Sequence, residues 1–283
     1  MNARWVAVRL GLRRGWIELK HQLTNPSDLI TTLIVAAAFL GVMLYLRATT
    51  VPGTHFSLST TILAGVLGMN VGFNGLALMA GLLTVEHEDG TLLRAKAIPH
   101  GMTGYLIGKV VTVSGTVLLG VSTTLITGLF LFSGLAIGSA GAWLTLIWVV
   151  ALGLVATLPI GAVLGTLIPS ARSAGLLNLA LGGLIAISGI FYPITHLPHW
   201  LQWVGQAFPL YWLGLGMRSA LLPASLASVE IGHSWRHLAT FGVLGAWAVL
   251  GLLVAPVLLR RMARREAGSS VAARRAKAMV RVG

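Results

Sequence analysis

The sequence predicts an all-α integral membrane protein with six transmembrane helices and an N-terminal helix that lies at the membrane interface. Three observations support this fold class. The 283 residues are 56% hydrophobic and 10% charged, with a mean hydropathy of +0.86, which is more apolar than a soluble domain. Six apolar stretches are long enough to cross a hydrocarbon core of about 30 Å. The Lys and Arg residues cluster beside these stretches.

The six predicted spans are helices because lipid offers no partner to backbone amides, and they lack the alternation of barrel strands. Their predicted bounds are 29–46, 58–84, 110–133, 142–168, 173–192 and 238–259. Three regions follow: an N-terminal cytoplasmic interfacial helix within 1–27, a six-span transmembrane domain over 28–259 and a basic cytoplasmic tail over 260–283.

The orientation follows from the distribution of the 20 Lys and Arg residues. Arg47, Arg218 and Arg236 lie on one side of the predicted membrane, and all the others lie on the opposite side. The positive-inside rule therefore places both termini in the cytoplasm and the chain in the cytoplasmic (inner) membrane. Since the net charge of +13 belongs to membrane-flanking segments, we expect no nucleic-acid partner.

The sequence lacks the residues that several classes of activity require. Inside the predicted spans, end residues apart, there is no Asp, Glu, Lys, Arg or His, whereas ion-driven pumps usually need such relays. The segment from Gly104 to Val110 is one residue short of a phosphate loop and has Val where Ser or Thr should bind magnesium. Cysteine is absent and the His residues are scattered. We expect no catalytic residue, no metal site and no cofactor in this chain.

Residues 3–23 predict an amphipathic surface helix. Apolar residues recur at helical spacing beside Arg and Lys: Trp5, Val8, Leu12, Trp16 and Leu19. This pattern is typical of helices that bind the membrane interface. The helix is either an anchor alone or also a contact for a cytoplasmic subunit.

The connection after the second span carries the most specific pattern. Three acidic residues precede Gly-Thr and then Leu-Leu-Arg, which indicates a turn into a short surface helix that ends before Pro99. From its residues alone the segment is either a solvated charge cluster or a point that receives force.

This connection resembles the cytoplasmic coupling region of ABC-2 type permeases, in which an E-x-E-x-G-T-L pattern follows the second span. Glu86, Glu88, Gly90, Thr91 and Leu92 match that pattern. The stretch after the fifth predicted span is also similar to the family, at 189–193, 197–202 and 208–210, so the likeness covers most of the chain. His87 and Asp89 stand where family members often carry Arg or Lys, which makes this segment more acidic.

The resemblance implies an ABC-2 type permease architecture and a permease subunit of an ATP-driven exporter. Its expected partners are a cytoplasmic ATP-binding subunit, which would bind ATP and Mg, a second permease copy or homologue, and membrane lipids. Its expected substrate is a hydrophobic drug, antibiotic or lipid. The residues expected to couple the permease to the ATPase are Glu86, Glu88, Gly90, Thr91, Leu92 and Arg94.

Three Asn residues stand out inside apolar spans: Asn70, Asn74 and Asn178. An amide facing lipid is unfavourable, so each should face another helix or a wet pathway. Glycines of the second span fall on one face, at 65, 68, 72 and 75, and predict close helix packing. In the fifth span Gly175, Gly182 and Gly189 predict a packed seam near Asn178.

Aromatic residues and prolines dominate the long outward connection between the fifth and sixth spans. Leu197-Pro198 predicts the start of a short helix that dips into the outer interface. The candidate outer-gate residues are Tyr192, Pro193, Trp200, Trp203 and Phe208, and the alternative is an aromatic belt that anchors the connection. The basic tail is expected to bind anionic lipid, with docking to the ATPase as the alternative. The alternative functions are a partner-independent channel or secondary carrier, or a non-transport membrane scaffold.

Overall fold

The computed structural model describes residues 3–51, 56–88, 91–98, 100–168 and 171–280. Within these ranges the chain is helical apart from its connections, and the only strand-like pairing is one bridge between Thr50 and Ser57. The predicted all-α class is therefore confirmed. The α-helices are α1 (Ala3–Thr24), α2 (Pro26–Tyr45), α3 (Leu58–Met69), α4 (Gly75–Glu88), α5 (Thr91–Lys96), α6 (Gly101–Leu131), α7 (Ala140–Leu167), α8 (Ala171–Ile187), α9 (His199–Ala207), α10 (Pro209–Leu221) and α11 (His237–Val280).

Four helical stretches of the described chain are long and apolar enough to cross a membrane: Leu58–Glu86, Gly101–Leu131, Ala140–Leu167 and His237–Leu259. They coincide with the second, third, fourth and sixth predicted spans. The first and fifth predictions fall on shorter apolar helices, Leu33–Ala48 and Gly175–Ile187. The chain is thus a multi-pass membrane protein, and the count of six remains a prediction.

Helix α7 is central to the bundle, because it packs along α4, α10 and α11. Gly161 and Gly165 allow the close contact with α4. A Cβ atom at Gly161 would lie 2.7 Å from the carbonyl oxygen of Leu76, and one at Gly165 would lie 2.8 Å from that of Ala80. Small residues here bring two backbones together, which is how helices associate where lipid removes the hydrophobic driving force.

The second span is not the uninterrupted α-helix that the sequence predicts. A π-helical turn, Asn70–Asn74, joins α3 to α4. Because a π-helical turn holds more residues than an α-helical turn, the side chains of α4 point in different directions from those that a continuous α-helix would give. The predicted glycine face is confirmed as a packing surface: Gly68 lies against Gly214 of α10, and Gly72 lies against Leu210.

Helix α6 begins nine residues before the predicted start of the third span. Lys109 therefore lies inside the candidate span Gly101–Leu131 and is only 2% exposed. The prediction that no ionisable residue lies within a span is wrong at this position. Its charge is retained in the bundle because two carboxylates face it, as described below.

The fifth span also differs from its prediction. Helix α8 ends at Ile187 rather than at 192, because Gly189 adopts a left-handed backbone (φ +64°) and Pro193 follows. Nothing lies within 4 Å of a Cβ atom built at Gly175 or Gly182, and Asn178 is exposed. Among the described residues, the expected seam is therefore not packed at Gly175 and Gly182, whereas Gly189 lies against Ile194.

The connection between α8 and α11 holds a helix that the sequence did not reveal. Helix α9 starts next to Leu197-Pro198 as predicted, but α10 follows it and is buried along almost its whole length. Trp247 Nε1 donates to the Ala207 carbonyl at 2.9 Å. Trp247 lies ten residues after the first residue of α11. The turn between α9 and α10 therefore packs beside α11 at a point about 15 Å from the start of that helix. Part of this connection is therefore buried within the bundle.

Candidate coupling site

Helices α1, α4, α5 and α6 meet at the end of the bundle where the second span finishes. Glycines on both partners let α1 lie directly along α6. A Cβ atom at Gly104 would come within 2.9 Å of the Ala7 carbonyl oxygen, and one at Gly15 would come within 2.7 Å of Val111. The near-match to a phosphate loop between Gly104 and Lys109 is thus a helix-packing pattern.

Lys109 is the centre of a charge cluster at this junction. Its Nζ lies 2.7 Å from Glu18 Oε2 on α1 and 2.5 Å from Glu86 Oε1 on α4. The Lys109 side chain is 3% exposed, whereas Glu18 and Glu86 are 26% and 17% exposed. One ammonium group therefore joins three helices.

Arg14 completes the cluster from α1. Its Nε lies 2.8 Å from Glu18 Oε1, and its Nη2 lies 3.7 Å from Glu86 Oε1. The guanidinium also lies 5.3 Å from the centre of the Tyr105 ring, within range of a cation–π interaction. Two cations thus balance two carboxylates, and Glu86 Oε2 and the Tyr105 hydroxyl are buried without a hydrogen-bond partner among the described residues.

The cluster shifts the titration of the groups on α1. Burial disfavours the ionised form of Glu18, but the hydrogen bonds and charges of Lys109 and Arg14 outweigh it and hold the pKa of Glu18 below its ordinary value. Burial likewise disfavours the Arg14 cation, yet Glu18 and Glu86 raise the pKa of Arg14 above its ordinary value. Glu18 and Arg14 are therefore charged at neutral pH.

The predicted coupling residues occupy two different helices. Glu86 lies in the last turn of α4 and faces Lys109, whereas Thr91 and Arg94 lie on the short helix α5. Arg94 is exposed and Thr91 is half-buried. Gly90 lies outside the described residues, as do the side chains of Glu88 and Leu92. Helix α5 packs on α4, α6 and α11.

Sequence reasoning found Glu86 but missed Glu18 and Lys109 as its companions. Two signals were present. Arg14 and Glu18 stand four residues apart, which is the spacing of an ion pair on one helix face. Gly11-Gly15 and Gly104-Gly108 each form a small-residue pair, which predicts close packing but does not say which helix is the partner.

The Asn pair of the second span lies in the π-helical turn. Asn74 Nδ2 donates to Asn70 Oδ1 at 3.2 Å. Asn70 also faces α6, because a Cβ atom at Gly120 would come within 2.8 Å of its Nδ2. Both side chains are half-buried, so these amides contact protein, in contrast to the exposed Asn178.

The candidate outer-gate residues do not form one cluster. Tyr192 donates its hydroxyl to the Ala186 carbonyl, and Pro193 is buried. Phe208 stacks on Trp247 with ring centres 6.0 Å apart. Trp200 and Trp203 on α9 are 65% and 76% exposed.

Comparison with known proteins agrees with this architecture. The family described as ABC-2 type transporter matches residues 7–222, which extends from α1 to the end of α10. No curated protein matches the chain. The match covers most of the sequence and includes the junction of α1, α4, α5 and α6. The chain therefore belongs to the ABC-2 type transporter family, as its membrane component, a permease subunit.

Proposed function

We propose that this permease exports a hydrophobic drug, antibiotic or lipid across the cytoplasmic membrane, driven by a separate cytoplasmic ATPase subunit. ATP and Mg would bind to that subunit. A second copy of the chain, or a homologue, would complete the pathway, and both termini would face the cytoplasm.

The observation that carries this proposal is the position of Lys109 against Glu86 in the last turn of α4. Because Lys109 contacts both Glu18 and Glu86, a displacement of α5 would act on α4, α6 and α1 together rather than on one flexible loop. Charge-assisted contacts between well-packed helices transmit a displacement better than a solvated charge cluster does.

In this scheme Glu86 does not contact the ATPase directly, although the sequence pattern places it in a surface connection. Its carboxylate is engaged with Lys109 and Arg14 of the same chain, so it holds the last turn of α4 against α6 and α1. The exposed groups of α5 and the following turn, Arg94 and Ile98, are better placed to contact the ATPase, since Ile98 is 63% exposed.

The preference for a hydrophobic substrate rests on the spans themselves. The buried residues of the described spans are mostly apolar. Among the buried polar residues, Thr84 and Thr157 donate to backbone carbonyls of their own helices, and Lys109 and Arg218 are paired with carboxylates. A binding surface of this kind favours apolar molecules over sugars or polyphosphates.

The test is Arg94→Glu, with Arg47→Glu as a matched control. Both side chains are exposed arginines, but Arg47 lies in the 3₁₀ turn that follows α2, at the opposite end of the bundle. Arg94→Glu should reduce the amount of ATPase that co-purifies with the permease and should reduce transport in the same preparation, with membrane insertion unchanged. Arg47→Glu should leave both at the native level. Equal ATPase recovery for the two variants would contradict docking at α5.

A further inference from the structure

Arg218 lies at the other end of the bundle, in the last turn of α10. Its side chain is 3% exposed, and α10 ends beside the connection that follows α6, where the Ala136 amide donates to the Leu221 carbonyl at 2.7 Å. A buried arginine at this depth needs specific partners, because an unpaired buried charge is strongly unfavourable.

The guanidinium of Arg218 connects three segments of the chain. Its Nε lies 2.6 Å from Glu230 Oε1, in the connection between α10 and α11, and the Glu230 side chain is also 3% exposed. Its Nη1 donates to the Gly189 carbonyl at 3.0 Å. Gly189 begins the segment 189–197, which we call the exit segment. A second contact, from Thr195 Oγ1 to the Val229 carbonyl at 3.4 Å, joins the same two outer segments.

The exit segment also packs apolar residues against the second span. Ile190 and Ile194 are 1% and 0% exposed. The Ile190 backbone lies against Gly65 of α3, and its side chain lies 3.5 Å from the position of a Cβ at Gly214 on α10. Movement of the exit segment away from α3 and α10 would therefore open a passage into the bundle beside the second span, and it would break the Arg218–Gly189 hydrogen bond.

The Arg218 junction is incompletely satisfied in its closed arrangement. Among the described residues, Arg218 Nη2 and Glu230 Oε2 are buried without a hydrogen-bond partner. Tyr211 lies two turns before Arg218 on the same face of α10, and its hydroxyl interacts electrostatically with Glu230, Arg218 and Arg236. Hydration of Arg218 Nη2 and Glu230 Oε2 on opening would offset part of the lost contacts.

We propose that Arg218 is a positioning residue of the transport pathway, a latch whose contacts with Gly189 and Glu230 hold the exit segment closed and separate when the pathway opens at this end. The role of the latch in transport rests on the proposed export function. The closure itself does not, and can be measured in the chain alone.

The first experiment measures closure without transport. The chain has no native cysteine, and Ser188, which is 1% exposed, can be replaced by Cys with little change in volume. In native-like membranes, a membrane-impermeant maleimide should label this cysteine slowly. Adding Glu230→Gln should raise the labelling rate by about tenfold to a hundredfold, the factor expected when a charge-assisted hydrogen bond is lost.

Arg47→Gln is the matched control, since it removes an exposed charge near the same end without touching the junction. If Glu230→Gln does not fold, Arg218→Gln with Glu230→Gln removes the pair without leaving a buried charge, and it should show the same increase. A labelling rate equal to that of the control in the folded variant would overturn the latch.

The second experiment locks the outer segments together. Thr195→Cys with Val229→Cys should form a disulfide on oxidation and abolish transport, and a reductant should restore transport, while ATPase co-purification stays constant. Transport by the oxidised protein would overturn the latch. Absence of transport by the unmodified complex would instead count against the export function, and the labelling result would still decide whether Arg218 closes the exit segment.

Discussion

Lys109 Nζ lies 2.5 Å from Glu86 Oε1, so the last turn of the second span is tied to the first turns of α6 by a nearly buried ion pair. The resemblance to the family leads us to expect Glu86 to be a coupling residue, but it gives no reason for its charge. The structure supplies one: the carboxylate neutralises a lysine that could not otherwise lie inside the bundle.

Lys109→Met should destabilise the chain. The substitution leaves Glu18 and Glu86 with only Arg14 to balance them, and removal of one partner from a buried ion pair costs about 3–5 kcal/mol. Partial exposure of both carboxylates places the expected loss near the lower end of that range. Thermal unfolding in detergent measures it. Lys20→Met, an exposed lysine of α1, is the control, and an equal effect of the two substitutions would show that the cluster adds no stability.

Acid should loosen α1 from α6 through Glu18. Because the pKa of Glu18 is lower in the folded chain than its ordinary value of about 4.3, its contribution to stability is fully present above that value. It is lost as the pH falls through the lower, folded pKa. The thermal midpoint of the native chain should therefore fall more steeply with acidification than that of Glu18→Gln, which cannot titrate. Parallel curves for the two proteins would refute this linkage.

Gly104→Val should separate α1 from α6 without removing any charge. The Cβ atom alone would lie 2.9 Å from the Ala7 carbonyl oxygen, so a larger side chain must displace one helix, which typically costs about 1–3 kcal/mol. Gly242→Val on α11 is the control, because nothing lies within 4 Å of a Cβ atom there. The measurement is the unfolding midpoint of each variant, and we expect only Gly104→Val to lower it beyond the propensity change common to both.

Asn74→Leu should lower stability, whereas Asn178→Leu should not. The first substitution removes the donor to Asn70 and leaves an amide oxygen half-buried, an effect of about 1 kcal/mol. The second replaces an amide that is exposed on α8. If the ranking of the two variants in detergent unfolding is reversed, the assignment of Asn70 and Asn74 to a protein-facing contact is wrong.

The orientation can be tested with single cysteines at exposed positions. Thr50 and Ser225 should react with an impermeant reagent from outside the cell, and Ala97 should react only after the membrane is opened. This expectation follows from the bias of Lys and Arg to one side. Labelling of position 97 in intact cells would invert the predicted topology.

The sequence by itself determined the helical class, most of the spans and the family. Hydropathy depends on summed local composition, so it located α6, α7 and the membrane part of α11 without any knowledge of their neighbours. The Glu86–Leu92 pattern is likewise local, and it was enough to indicate the family that matches residues 7–222.

Only the tertiary structure decided which polar residues face each other. Glu18 and Lys109 are 91 residues apart in the chain, and Arg218 reaches Gly189 across 29, and no helical period predicts such pairs. For the same reason α10 escaped prediction: a helix is buried by the surfaces around it, and here those surfaces come from α3, α7 and α11. The sequence shows which charged residues are present, but only the fold shows which of them are paired. A lysine or arginine in an apolar bundle is stable only where the fold brings a carboxylate to meet it.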